Sequence, residues 1–147
     1  SKSLPYTLQG HNLSFIQADA TLLPLPSDSV DAISIAYGIR NIKEPNQCFK
    51  EAFRIIKPRG HFAILELTEP KNPNLKFFHT IYLNQILPLV GGLVTKEKAA
   101  YRYLAKSVQT FAKPSEIKHN LGNAGFQDVS ITPLLGGIAT LFHARKK

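Results

Sequence analysis

Two nearly continuous apolar runs, Asp31 to Ala36 and His61 to Leu67, constrain the fold more than anything else in the chain. Runs of this kind suit strands buried on both faces, as in a parallel sheet covered by helices on either side. Between them, Pro45 to Ile56 carries Phe49, Ala52, Phe53 and Ile56 at helical spacing, with Pro45 near its first turn, where a missing N–H costs nothing. Strand, helix and strand in that order make a right-handed crossover. Lys57-Pro58-Arg59-Gly60 reads as the turn between helix and second strand, its basic residues suiting the helix C-terminus. In an open α/β sheet the ligand lies beyond the carboxyl ends of the strands. That directs attention to Tyr37-Gly38-Ile39-Arg40-Asn41 and to Glu66-Leu67-Thr68-Glu69.

The flanking segments extend the same pattern. Ser1 to Gln9 reads as the tail of a helix closed by Gly10, and Leu13 to Ala18 as a short strand with Asp19-Ala20 at its carboxyl end. Two prolines forbid regular structure in the loop Thr21–Ser29. After the second strand, the spacing predicts a helix over Leu75–Leu87, a flexible joint at Gly91-Gly92, and helices over Lys96–Val108 and Pro114–Ala124, the last stopped by Gly125. Asp128–Pro133 and Ile138–His143 read as a terminal antiparallel pair of strands around Leu134–Gly137.

At 147 residues the chain is one domain or part of one, with 1–147 expected to be the C-terminal part of a single domain, and 44% hydrophobic content suffices for a core. The longest apolar stretch, Ile81 to Val94, is interrupted and too short to span a bilayer. One cysteine, Cys48, excludes a disulfide framework, and it reads as a small buried apolar residue. The net charge of +8 favours anionic partners, but the cations are dispersed and do not interleave with aromatics, so no nucleic-acid role is expected. Methionine is absent, even at position 1, which leads to the expectation of a processed, retagged or partial chain.

Among candidate site residues, Asp19 can accept hydrogen bonds from a nucleotide ribose or adenine amine, or cap a turn. Gly38 permits a sharp turn or a close approach to a ligand. Arg40 keeps its proton, so it reads as an electrostatic group aimed at an anion; the alternative is a surface salt bridge with Glu44. Glu66, an acid inside an apolar strand, is either a site residue or a paired structural acid. His61, His79, His119 and His143 show no ligand spacing with one another, so no metal site is expected.

Several segments then agree in order with one family. Lys57-Pro58-Arg59-Gly60 through Leu65-Glu66-Leu67-Thr68, Tyr37-Gly38-Ile39-Arg40-Asn41, Tyr101-Arg102-Tyr103-Leu104, Ala124-Gly125-Phe126 and Gly136-Gly137-Ile138 resemble the quinone-biosynthesis C-methyltransferases. The resemblance runs from about Asn12 to the C-terminus. Arg59 stands where the family has glycine, Thr68 where it has serine, and Gln85 where it has histidine. No Gly-x-Gly pattern precedes Leu13, so the family's cofactor loop has no counterpart here.

The resemblance implies an α/β, Rossmann-like class I methyltransferase sheet lacking its N-terminal strands, with Leu13–Ala18 as third strand and Val30–Ala36 as fourth in an order three, two, one, four, five, seven, six. It implies methyl transfer from S-adenosylmethionine to a ring carbon of a prenylated hydroquinone. Arg40 and Asn41 would be catalytic; Asp19, Ala20, Ser34, Tyr37 and Gly38 would hold the cofactor; Phe77, Phe78, Ile81, Tyr82 and Tyr101 would face the ring and prenyl tail. It also implies a cytoplasmic protein that touches the inner membrane peripherally. With the intervening strands absent, the chain is expected to be inactive alone. It is also expected to repair its open edge, by pairing Leu13–Ala18 against Val30–Ala36 or by forming a homodimer. The alternative from another class is a non-catalytic oligomerisation or lipid-docking module using Phe77–Val94.

Overall fold

The computed structural model of the chain describes residues 14–89 and 98–147. In chain order these form strand β1 (Val30–Ala36), helix α1 (Pro45–Ile55), strand β2 (Ile56–Leu67), helix α2 (Pro73–Ile81), helix α3 (Lys98–Gln109), helix α4 (Pro114–Asn123), strand β3 (Gln127–Leu134) and strand β4 (Ala139–Arg145). Helix α2 continues through a π turn over Tyr82–Ile86. The sheet order is β1-β2-β4-β3, with β1 and β2 parallel and β4 antiparallel to both its neighbours. This is the four-five-seven-six half of the order that the resemblance implies, with α1 as the crossover between the parallel pair.

The core lies on one face of the sheet. Even-numbered Phe62 and Ile64 of β2 and Phe142 and Ala144 of β4 point to the same side, and pack with Cys48, Phe49 and Ala52 of α1, Ile117 and Leu121 of α4, and Phe126. Burying each large apolar side chain is worth about 1.5–3 kcal/mol, and the Phe49, Phe62 and Phe126 rings meet at centroid separations of 5.4–6.3 Å. A second cluster, Leu83, Ala105 and Val108, joins α2's continuation to α3 and reaches Leu67 at the end of β2. The opposite face is half-exposed: Ala32, Ser34 and Ala36 of β1 are exposed, and His61, Ala63 and Leu65 of β2 range from exposed to partly buried. The expected cover on both faces is therefore present on one, among the described residues.

Three further expectations need correction. Residues 14–18 form no strand; all are exposed, and Phe15 is 72% so. An apolar run becomes a strand only where a neighbouring backbone takes up its hydrogen bonds, and among the described residues none does so and residues 14–18 do not pair with β1. The Lys57–Gly60 turn is absorbed into β2, which begins directly at Ile56. Val30 pairs with Ile56 and Ala32 with His61, so these residues bulge outward from a continuous strand. Arg59, in that bulge, has φ +68°, the left-handed conformation that favours glycine. The remaining elements shift by only a residue or two at their ends. Ser1–Gly10, Gly91-Gly92 and the first residues of the expected Lys96–Val108 helix lie outside the described residues.

Candidate functional site

Strand β1 delivers the chain to the carboxyl end of the sheet, where Tyr37 N–H still donates to Leu65 O at 2.8 Å. The sharp reversal occurs at Tyr37, with φ +54°. Gly38, expected to make it, has an ordinary φ of −114° and precedes a 3-10 turn over Ile39–Asn41. What Gly38 contributes is room, since a Cβ there would lie 3.3 Å from Ile35 Cγ2. Ile39, 1% exposed, plugs the turn into the core, which gives Arg40 and Asn41, the two residues that follow it, a rigid anchor.

Arg40 donates from Nη1 to Glu66 Oε1 at 2.6 Å and to Tyr37 O at 2.7 Å, and from Nε to Ser107 Oγ at 3.3 Å. Its partner is thus the buried acid of β2, and the surface pair with Glu44 is not formed. Glu66 is fully buried and also accepts from the backbone N–H of Leu67 at 2.9 Å and of Arg40 at 3.3 Å. Even-numbered Glu66 sits on the helix-covered face directly beneath the 3-10 turn, so the two sequence candidates become one ion pair. The bond from Arg40 to Tyr37 O also secures the strained residue.

Helix α3 closes over this loop. Tyr103 donates its hydroxyl to Asn41 Oδ1 at 2.9 Å, one helical turn from Ser107. Arg40, Tyr103 and Ser107 line a cavity of about 460 Å³ between the loop, α3 and α4. A second cavity, about 760 Å³, lies between α3, the start of α4 and the β3–β4 turn. At its edge Thr68 donates to Gly137 O at 2.8 Å and meets the Thr140 hydroxyl at 2.7 Å, so either serine or threonine serves at position 68.

On the other side of β1, Asp19 caps its own turn, accepting from the N–H of Thr21 at 2.8 Å and its hydroxyl at 2.7 Å; these bonds lower its carboxyl from the ordinary value. Sequence reasoning missed what holds this loop. Glu51, 6% exposed, accepts from Leu23 N–H at 2.8 Å and from Arg54, whose Nη2 in turn donates to Leu23 O and Leu25 O. The signal was present in the spacing: position 51 lies on the same helical face as Cys48, Ala52 and Ile55. Cys48 is buried, and burial first, then the Asp19 and Glu51 charges, pushes its thiol up to about 11, so it is no nucleophile.

Phe77, Phe78 and Tyr82 are 62%, 67% and 46% exposed, while Ile81 and Tyr101 are partly buried. Among the described residues, none of the five lines either of these two cavities. The sheet does bring two of the scattered histidines together: His61 Nδ1 and His143 Nε2 are 3.0 Å apart across β2 and β4. No group of three metal-ligating residues occurs among the described residues. Asp19, Ala20, Ser34, Tyr37 and Gly38 flank the carboxyl end and exposed edge of β1 but line neither cavity.

The pattern of the ubiE/COQ5 methyltransferase family matches residues 6–146. A demethylmenaquinone methyltransferase of Protochlamydia amoebophila is 42% identical over 131 residues, 89% of this chain and 54% of that protein. A ubiquinone/menaquinone biosynthesis C-methyltransferase of Rickettsia felis is 40% identical over 135 residues, 92% and 54% of the respective chains. The chain thus spans about half the length of these relatives. Among solved structures, a SAM-dependent methyltransferase of Thermotoga maritima superposes with a TM-score of 0.60 at 18% identity, covering 90% of this chain and 63% of the other. The fold is accordingly that of a Rossmann-like methyltransferase sheet.

Proposed function

The chain belongs to the ubiE/COQ5 methyltransferase family, and from that premise we propose that the protein acts in transferring a methyl group from S-adenosylmethionine to a ring carbon of a prenylated hydroquinone, demethylmenaquinol or the equivalent ubiquinone precursor. The observation that carries this is the Tyr37–Asn41 loop at the end of β1, with Arg40 held on Glu66. A ring carbon becomes nucleophilic when the neighbouring hydroxyl is ionised. Arg40 and Asn41 offer N–H donors to that oxygen, the kind of preorganised stabilisation worth several kcal/mol in acyl- and phenolate-type chemistry. Arg40 does not serve as the base, since a guanidinium keeps its proton.

S-adenosylmethionine would supply the methyl as an electrophile. Because Arg40 lines a cavity while Asp19, Ala20, Ser34, Tyr37 and Gly38 line neither of the two described, we assign this chain the acceptor side of the reaction. We further infer that the 147 residues alone bind the cofactor weakly and methylate nothing. The test uses the complete gene product with methyl-labelled cofactor and short-chain demethylmenaquinol or the ubiquinone precursor. Label should enter one of the quinols. Arg40→Ala should lower turnover by about 10²–10³ while leaving cofactor affinity unchanged. Absence of transfer to either quinol overturns the assignment.

The exposed stripe of Phe77, Phe78, Tyr82, Ile86 and Leu89 supports a second role for α2, as a peripheral contact with a bilayer in which a prenyl substrate resides. No helix among the described residues is long and apolar enough to cross a membrane. Co-sedimentation with acidic vesicles, lost on Phe77→Ser/Phe78→Ser, checks this contact.

A further inference from the structure

We propose that Glu66, Tyr103 and Ser107 are positioning residues that turn Arg40 and Asn41 into a donor-only cradle for one ionised oxygen of the acceptor, an inference that rests on the methyltransferase reading above. Consider first the donors of Arg40. Both hydrogens of Nη1 are engaged, by Glu66 Oε1 and Tyr37 O, and the Nε hydrogen by Ser107 Oγ. Nη2 makes no hydrogen bond among the described residues and is not a sealed atom, unlike Arg145 Nε. The guanidinium is therefore locked in a plane with one edge, Nη2, left to act.

Asn41 is resolved in the same way. Tyr103 donates its O–H into Asn41 Oδ1, so the acceptor half of the amide is taken and the Nδ2 donors remain. Adjacent residues thus offer N–H groups and nothing that accepts. A neutral hydroxyl bound there finds no acceptor on either side chain and must turn its proton to water, whereas an oxyanion takes the donors of both residues. The cradle accordingly selects the ionised acceptor. The hydroxyl proton passes to solvent water, and the O–H electron pair stays on oxygen.

Glu66 sets the strength of that selection. It is fully buried and its charge lies 2.6 Å from Arg40 Nη1. The pair is close to neutral, so Arg40 works through a directed hydrogen bond more than through free positive charge. Removing the carboxylate frees the field of the guanidinium while loosening its direction. These two consequences are separable by experiment, and neither is expected of a residue that merely supports the fold.

The test follows the ionisation of 1-naphthol bound to the complete gene product, by absorbance against pH, alongside the pH dependence of kcat. With wild type, bound naphthol should ionise at lower pH than free naphthol. With Glu66→Gln, ionisation and the acid limb of kcat should both move to still lower pH, while the plateau of kcat falls. Tyr103→Phe, at a position 59% exposed where folding is not at stake, should lower kcat between about 10- and 100-fold, with cofactor affinity unchanged. A Glu66→Gln limb that stays in place or moves upward overturns the inference, as does a Tyr103→Phe enzyme with wild-type kcat. If Glu66→Gln does not fold, Tyr103→Phe and Ser107→Ala decide alone. Wild type that transfers no methyl rejects the underlying reading; an active wild type with unresponsive variants rejects the cradle only.

Discussion

At the scale of single residues, Tyr37 and Arg59 separate strain that positions a site from strain that serves only the backbone, which at Arg59 donates its N–H to Lys146 O at 2.9 Å. Tyr37 is left-handed at φ +54° and is bonded on both sides, through its N–H to Leu65 O and its carbonyl to Arg40. Arg59, at φ +68°, sits exposed in the β2 bulge. A left-handed non-glycine residue costs about 1–2 kcal/mol, and glycine's extra unfolded-state entropy returns about 0.5–1 kcal/mol of that. Arg59→Gly is therefore expected to raise stability by roughly 0.5–1 kcal/mol, read from the urea midpoint. Glu51 gives a pH dependence. Arg54 hydrogen-bonds to its carboxylate and lowers it, burial opposes this, and the Leu23 N–H adds to the lowering. The folded state then holds the ionised form more firmly than the unfolded chain does. The stabilisation is complete above the ordinary glutamate range near about 4.3 and fades as pH falls through that range to the lower folded value. Thermal midpoints of wild type should drop between pH 5 and 3 more steeply than those of Glu51→Gln, and parallel slopes would remove Glu51 from this role.

At the scale of elements, β2 is the member that everything else is packed against, and its bulge is where it is most easily damaged. A Cβ on Gly60 would lie 2.5 Å from Ile56 Cγ2, 2.7 Å from Asp31 O and 2.9 Å from Lys57 O. Two of these are backbone atoms fixed by β1 and β2, so Gly60→Ala should cost about 1–3 kcal/mol. Gly122, near the end of α4, has nothing within 4 Å; Gly122→Ala should gain up to about 1 kcal/mol. Chemical denaturation of both variants gives the contrast, and equal shifts would mean the bulge yields. The same elements show what the sequence could reveal. The crossover and the antiparallel ending were legible because apolar period, prolines and Gly125 are local signals. Residues 14–18 carry a strand-like apolar run and form no strand, because such a run says nothing of whether a partner strand is available. The Arg40–Glu66 pair was hidden for a related reason: both residues were candidates, but 26 positions apart, and only the parallel register of β1 on β2 joins them.

At the scale of the whole molecule, the sheet ends abruptly. β1 is paired with β2 on one side, and among the described residues no strand pairs with its outer edge. Its Ala32, Ser34 and Ala36 are exposed as well. A seven-residue edge strand whose one charge is Asp31 at its start, followed by small uncharged Ala32, Ser34 and Ala36, lacks the lysines and prolines that keep such edges from pairing. Opposing this is the net charge of +8, which makes two copies repel until salt screens them; the screening length falls to about 8 Å near physiological ionic strength. The 147-residue chain is thus expected to associate edge to edge as a second copy, weakly at low salt and more strongly as salt rises. Most ion-pair contacts between proteins weaken under the same change, so the direction is diagnostic. Light scattering across a salt series measures it, and Ala32→Lys, which puts a solvated charge on the edge strand, should return the chain to a monomer. If the proposed placement of S-adenosylmethionine beside Ser34 and Tyr37 holds, association and cofactor binding should compete. A chain that stays monomeric at all salt concentrations and binds the cofactor with micromolar affinity would show that the β1 edge is closed in solution.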